Sequence, residues 1–371
     1  MFFDYPIFFE KNRVFRVYKG GKLFADFFSD DSTDGNYPEE WVVSAVRALN
    51  EGSTDEYEGI SKIQGSDIYL SDALKDYKNE LIGDREDIGI LTKILDSAIR
   101  LPVQAHPDKA FSRVHFNSNY GKEESWVILA TRPDAKIFYG FKKGVTMEQF
   151  EKAIEASETS LTAMEELLES FPVKAGDIIY IPAKMVHAIG AGCLLLEVQE
   201  PTDFTIQPER WCGEYRLSDN EMYLGLDKKT ALECFDMEKT FPAPLTSKPL
   251  ASEEGVDYQS VIDESITESF KVRKIIFDGG NFVLDKGACI YVVTEGNGKI
   301  IGDGYEKDIT KGDYFFIPEA IKGNFSITGA DMTVVECYKK GDLLWIRNIF
   351  LWVMPILTPY GSGECLKDLH L

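Results

Sequence analysis

Positive charge is in short supply in this sequence. Its 371 residues carry 40 Lys and Arg against 62 Asp and Glu, a formal net charge of −22. Nucleic acids and anionic lipid surfaces are bound largely through Lys and Arg that neutralise phosphates, so this balance excludes both as partners. It also sets a condition on small anionic ligands, because a phosphorylated one needs a local basic pocket that overrides the global field. Paired cysteine motifs are missing as well. Cys193, Cys212, Cys234, Cys289, Cys337 and Cys365 are scattered without CxxC spacing. A chain of this length needs no disulfide framework, so they read as reduced thiols. The opening MFFDYPIFFEKNRVF lacks the basic and continuous apolar regions of a signal peptide, and the expectation is a cytoplasmic protein. No apolar run reaches the ~20 residues of a membrane span. The nearest, LLWIRNIFLWVMPIL at residues 343–357, is broken by Arg347. It reads as a buried terminal helix or as a subunit contact, as in a homodimer.

What is present is ordinary globular composition, 44% hydrophobic and 27% charged, with enough length for two or three domains and a sizeable core. Short apolar segments at residues 13–17 and 22–28, split by Gly20 and Gly21, read as strands with a turn. Residues 41–49 fit a strand or short helix, and 50–90 are polar with helical patches, notably 72–81. From residue 90 the pattern becomes β. Residues 90–111 read as a strand running into a turn at Pro107-Asp108, and 126–131 and 135–140 as two more strands. Residues 147–171 have helical periodicity through Phe150, Ile154, Leu161, Met164, Leu167 and Leu168. Four short apolar segments follow, at 171–173, 178–181, 186–189 and 194–198, punctuated by Gly and Pro in the manner of a β-sandwich or barrel.

The style repeats from residue 269 to 339, where VRKIIF, NFVLDKG, CIYVVTEGNGKII, KGDYFFIPEAI, NFSITG and MTVVECYK read as one antiparallel meander. KAGDIIYIPAKMVHAI (174–189) matches TKGDYFFIPEAIKGNF (310–325): each has Gly-Asp, an apolar strand, Ile-Pro and a turn. This is an internal repeat at domain scale, and the second copy lacks the histidine. The glycines of GNGKIIGDG lie inside a β meander with no following helix, so they are hairpin glycines and not a nucleotide loop. The expected organisation is a metal-bearing unit over 1–213 with helical insertions at 50–90 and 147–170. A helical connector over 214–264, a metal-free β unit over 265–342 and an apolar tail over 343–371 follow.

Histidine is also scarce, with His106, His115, His187 and His370 only. His106 lies in VQAHPD, two residues after Gln104. Residues i and i+2 of a strand share a face, so the Gln104 amide oxygen and the His106 imidazole can reach one ion. Glu124 opens the next strand in GKEESW, and His187 follows IPAKMV. Such a Gln/His/Glu/His set suits a divalent ion with an open coordination position. From the residues alone the same four read more readily as hydrogen-bonded polar groups of the strands, since a lone strand His is more often structural than ligating. His115 reads as a loop residue near the site.

VQAHPDKAF, GKEESWVILA, GDIIYIPAKMVHAIGAG and LLLEVQEPTDFT, in this order, resemble the motifs of the class I mannose-6-phosphate isomerases. The segments around Tyr18 and around Glu40-Trp41 fit more loosely. The resemblance implies a mostly β fold of two tandem double-stranded β-helix (cupin, or jelly-roll) barrels. It implies a zinc-dependent aldose–ketose isomerase acting on a sugar phosphate, with one zinc ion on Gln104, His106, Glu124 and His187. It further places Lys122, Glu197 and Asp203 in the catalytic pocket.

Two departures stand out. The position four after Asp203, where the family has Arg, holds Gln207, which cannot carry positive charge. Arg210, beyond the bend at Pro208, is the expected replacement. Pro102 stands where the family has a small hydroxyl residue that contributes to phosphate binding. Lys109, Lys184 and Arg210 are then the candidate phosphate contacts, with Gln207 facing the substrate. The leading expectation is interconversion of mannose 6-phosphate and fructose 6-phosphate. The alternatives are a metal cupin isomerase of a different sugar or sugar phosphate, and a non-catalytic sugar-phosphate-binding relative.

Overall fold

Alternating apolar residues in short runs, separated by Gly and Pro, fold here into antiparallel strands. The computed structural model describes residues 1–339, so the apolar tail at 343–371 lies outside the described residues. A six-stranded sheet runs in spatial order through Arg13–Val14, Glu39–Val42, Leu91–Ser97, Cys193–Gln199, Glu124–Thr131 and Ile178–Ile181. A three-stranded sheet of Leu168–Pro172, Lys136–Phe141 and His187–Ile189 packs on it. The two share a core in which Trp126, Ile137, Ile179 and Leu195 are fully buried.

The rest of the chain builds an eight-stranded sheet from Lys248–Glu253, Val256–Ile262, Phe270–Val283, Cys289–Gly302, Tyr305–Thr310, Tyr314–Ile317 and Phe325–Lys339, edged by Ile7–Phe8. The N-terminal strand pairs Ile7 with Phe316 and Phe8 with Phe315. The chain start is therefore stitched into the C-terminal sheet. A second seam is polar. Tyr314 donates its hydroxyl to Glu40, a fully buried carboxylate that Arg13 also holds at 2.7 Å. A hydrogen bond to a buried charge contributes about 1.5–3 kcal/mol. Tyr314→Phe is expected to lower stability by about that much, read as a lower urea midpoint with an unchanged slope.

The internal repeat is visible as geometry. Gly176 and Gly312 have φ of 91° and 95°, a left-handed turn that glycine adopts without strain. The following Asp then caps its own turn: Asp177 accepts from the Lys174 N–H at 2.9 Å, and Asp313 from the Thr310 N–H at 2.8 Å. Each turn launches a buried four-residue strand, Ile178–Ile181 or Tyr314–Ile317. At the place of His187 the second copy has Gly323, and its interior is filled by side chains such as Phe277, Tyr291 and Phe315.

Several local expectations change. Residues 22–28 do not form a strand; Phe24–Phe28 is a helix, because Phe24 and Phe27 fall three apart and both bury. The helix of the 147–170 insertion ends at Ala156, where the Ser157 hydroxyl turns back to the Ile154 carbonyl at 2.6 Å. Leu168–Pro172 then pairs as a strand with Lys136–Phe141. In 50–90 the helices are confined to Leu70–Asp76 and Lys78–Ile82. The 214–264 connector is helical only at Asp219–Tyr223 and Lys228–Leu232. Its second half is the hairpin of Lys248–Glu253 and Val256–Ile262, turned at Gly255 with φ of 73°. GNGKII runs inside the strand Cys289–Gly302, with Gly296 (φ 72°) at a register shift; only Gly304 (φ 65°) lies in the hairpin turn, so the hairpin expectation holds for the end of the segment alone.

Candidate metal centre and cavity

Three segments distant in sequence bring their chemistry to one point. Gln104 and His187 face each other as an antiparallel bridge, each N–H donating to the other's carbonyl at 2.9 Å. Directly opposed residues project to the same side. His106 follows one pleat later, and Asp108 then ends the extended run by capping the helix Lys109–His115, accepting from Phe111 at 2.8 Å. Glu124 enters at the start of its strand, opposite Ile181 and Gln199. Gly121 lets the approach to that strand close on Pro107, because a Cβ there would lie 2.6 Å from the Pro107 carbonyl oxygen. That contact sets Lys122 beside His106.

The donor atoms suit a metal ion. His106 Nε2 is 3.2 Å from Glu124 Oε2, and His187 Nε2 is 3.3 Å from Glu124 Oε1. Among the described residues, this is the group of His, Cys, Asp and Glu whose ligand atoms all lie within 4.8 Å of one another. His187 Nε2 and Glu124 Oε2 are buried without a hydrogen-bond partner. Orphaned buried polar atoms are costly, so a missing partner that satisfies both at once is indicated. The far ring nitrogens are fixed: His106 Nδ1 lies 3.0 Å from the Phe204 carbonyl, and His187 Nδ1 lies 2.9 Å from the Met185 carbonyl. Donating there leaves both Nε2 lone pairs directed inward, the usual tautomer of a ligating imidazole. Burial and then the nearby Lys122 ammonium push the His106 pKa down to about 3, so the ring is neutral at ordinary pH. Burial works to raise the Glu124 pKa, yet Lys122 and His106 outweigh it and hold the carboxylate well below its usual range.

Of this group Glu124 lines a cavity of about 430 Å³, whose wall also includes Gln104 and Lys122. A volume of that order accommodates a small ligand. One flank is a buried ionic ladder across adjacent strands. Glu197 is paired in register with Lys93, Nζ to Oε1 3.4 Å, and Lys93 lies 3.8 Å from Glu39. Arg16 closes the ladder, with Nε at 3.1 Å from Glu39 and Nη2 at 3.1 Å from Asp203. Tyr18 also donates to Glu39. Burial raises the Glu197 pKa to about 7 against the pull of Lys93, with Glu124 adding to the rise.

The structure places the remaining candidates as follows. Gln104, Lys122, Glu124, Glu197, Asp203 and Gln207 line the cavity; His106 and His187 are not in its lining but lie 3.2 and 3.3 Å from the Glu124 carboxylate. Asp203 is fully engaged: it accepts twice from Arg16 and once from the Leu49 N–H at 2.9 Å. It anchors the wall and is not a free acid.

Arg210 is a correction. It lies outside the cavity lining and binds Glu158 at 2.7 Å, Asp219 at 2.8 Å and the Leu217 carbonyl at 2.8 Å. The bend at Pro208 turns it toward the helix Asp219–Tyr223 and away from the metal group. Arg210→Ala is expected to leave kcat/KM within about threefold of wild type while lowering Tm by a few degrees, since it removes three outer contacts. Lys109 and Lys184 are likewise not in the cavity wall. Lys109 pairs with Glu200 at 3.1 Å, and Lys184 occupies a left-handed turn, φ 68°, whose N–H binds the His106 carbonyl at 2.7 Å. His115 ends a helix and packs on Phe111.

Sequence reasoning missed Arg16, Glu39 and Lys93. For Lys93 the signal was a lone charge inside the apolar run LTKILDS, because buried charges need a partner.

Antiparallel sheets that carry a His–Glu–His group able to hold a metal ion, with Glu124 lining a small-molecule cavity, define the class: a protein of the cupin fold with a candidate metal site. No family model matches the sequence. Mannose-6-phosphate isomerase ManA of Bacillus subtilis is 32% identical over 264 residues, covering 69% of this chain and 76% of the relative. The mannose-6-phosphate isomerase of Streptococcus mutans is 28% identical over 329 residues, 85% of this chain and 93% of its own. The crystal structure of mannose 6-phosphate isomerase from Bacillus subtilis superposes with a TM-score of 0.73 at 24% identity, over 90% of this chain and 99% of that one. The chain belongs to the mannose-6-phosphate isomerase family.

Proposed function

We propose that this chain is a metal-dependent aldose–ketose isomerase that interconverts mannose 6-phosphate and fructose 6-phosphate, with zinc as its ion. The observation that carries the reading is the buried His106–Glu124–His187 group, with its orphaned His187 Nε2, whose Glu124 lines the cavity. Family membership supplies the reaction class. Gln104, bridged by its backbone to His187 and lining the cavity, is the fourth ligand of the proposal. A bound divalent ion supplies Lewis acidity toward the sugar oxygens.

The chain's own residues do the rest. Glu197, whose pKa near 7 suits proton transfer at neutral pH, takes the proton from C2 and returns it to C1. Lys122, 3.3 Å from Glu124, places a positive charge where negative charge develops on the enediolate oxygens. Arg16 and Lys93 hold the carboxylates of the wall in place. A sugar phosphate is confined by its charge to the compartment that makes it, which places the reading in the cytoplasm.

The test is a coupled isomerase assay on mannose 6-phosphate with metal-stripped and zinc-restored protein. Turnover that vanishes on stripping and returns with zinc is the expected result. Manganese, iron and cobalt, which accept similar ligands, are compared for the rate each restores. Binding of the sugar phosphate with no turnover in the zinc-restored protein would make the chain a non-catalytic binder.

A further inference from the structure

The strand that carries Glu124 has a second face. Successive strand residues project to opposite sides, so Glu123 points away from the cavity that Glu124 lines. The pairing of Gln199 with Glu124 continues one step further, the Glu200 N–H donating to the Glu123 carbonyl at 3.0 Å. Glu123 and Glu200 therefore stand opposite each other, and like charges so placed repel.

A closed ring of polar contacts offsets that repulsion. Thr267 donates its hydroxyl to the Glu123 carboxylate. The Glu123 N–H donates to the Glu200 carboxylate at 3.2 Å, and Glu200 pairs with Lys109 at 3.1 Å. Lys109 donates to the Ser269 hydroxyl at 3.1 Å, and the Ser269 N–H donates back to the Thr267 hydroxyl oxygen at 3.0 Å. Glu200, Thr267 and Ser269 are buried. The ring gathers the segments that bear the metal group and its base. Lys109 closely follows His106, Glu123 immediately precedes Glu124, and Glu200 closely follows Glu197. Thr267 and Ser269 come from elsewhere, the entry to the strand Phe270–Val283 of the eight-stranded sheet. That entry is itself fixed: the Thr267 N–H donates to the Asp263 carbonyl at 3.1 Å, and Phe270 is fully buried.

We propose that Thr267 is a positioning residue for the metal group, and that through this ring the eight-stranded sheet holds the segments of His106 and Glu124 at ligating distance from each other. The inference rests on the metal reading above. It also gives Lys109 a place in the molecule, as a tie between those segments. Groups that orient ligands without touching the ion are worth about 10–100-fold in metal affinity. The ring acts one residue further out than such groups, so the low end of that range applies.

The experiment measures the zinc affinity of the full chain by competition with a chelator. Thr267→Val keeps the shape of the side chain and removes both hydrogen bonds of its hydroxyl, and it should weaken zinc about tenfold. Thr267→Ser keeps the hydroxyl and should restore the affinity. Ser269→Ala opens the ring at the Lys109 contact, and decides the matter if Thr267→Val does not fold. It should weaken zinc by a similar factor, and the double substitution should weaken it no further, because a ring is opened only once. Zinc affinity within about threefold of wild type in either folded single variant overturns the inference and leaves the metal reading standing. So do losses that add in the double variant, or a Thr267→Ser variant as weak as Thr267→Val. A wild-type protein that binds no zinc sinks the metal reading itself.

Discussion

His187→Ala is expected to remove both the bound metal and the activity, lowering kcat/KM by about 10³-fold or more. His187 is fully buried, and its Nε2, 3.3 Å from Glu124 Oε1, makes no hydrogen bond among the described residues. Its orientation is set by the Met185 carbonyl on one ring nitrogen and by the edge of Trp126, ring centroids 5.6 Å apart. On the proposed ligand set, Gln104, His106 and Glu124 are already in use, so none of them is free to replace it. Metal content should fall from one equivalent to none. A ligand that binds only the folded state stabilises by about 4 kcal/mol at a thousand times its Kd. Wild type should therefore gain several degrees of Tm on adding zinc, and His187→Ala none. That second readout separates a lost site from a lost fold. A variant that keeps a full equivalent of zinc would remove His187 from the ligand set.

The clustering of His106, Glu124 and His187 was legible only in part: histidine is rare and Gln104 lies two residues before His106, whereas Glu124 and His187 come from distant segments and joined the set through the resemblance to the isomerase family. Gln104 and His106 share a face by strand period alone, and the four-histidine inventory left few competitors. The Gly-Asp…Ile-Pro repeat was legible because its spacing is local: a left-handed glycine and a capping aspartate must be adjacent to make their turn. Arg16, Glu39 and Lys93 were not legible as a unit. Each is an ordinary charged residue, and they meet only because strands from residues 39, 91 and 193 onward lie side by side. The Arg210 expectation failed at a bend. Counting along a strand gives no direction once Pro208 has broken it, and the acidic Glu158 and Asp219 that capture the guanidinium come from other elements. The helix Phe24–Phe28 and the strand Leu168–Pro172 failed through tertiary context, where short apolar runs take the form their neighbours bury best.

Glu197→Gln is expected to lower kcat by about 10²–10⁴-fold, the usual worth of a positioned general base, with KM changed only a few-fold. The substitution keeps the shape of the side chain, and Lys93 retains Glu39 at 3.8 Å, so the wall survives. The wild-type pH profile supplies the independent check. Burial brings the Glu197 carboxyl up to about 7, and a divalent ion nearby draws it down from there. The base is the ionised form, so kcat/KM of the zinc enzyme falls as pH drops through a point at or below 7. That acid limb disappears in Glu197→Gln. Stability runs the opposite way in the metal-free protein. A carboxyl whose folded pKa lies above its ordinary 4.5 contributes its stability fully below 4.5 and loses it as pH rises through about 7. Metal-free wild type should thus lose Tm relative to metal-free Glu197→Gln between those two pH values. Activity rising and stability falling over the same window is the signature of one buried carboxyl in both roles. Parallel Tm curves for the two proteins would show that Glu197 is not the group that titrates.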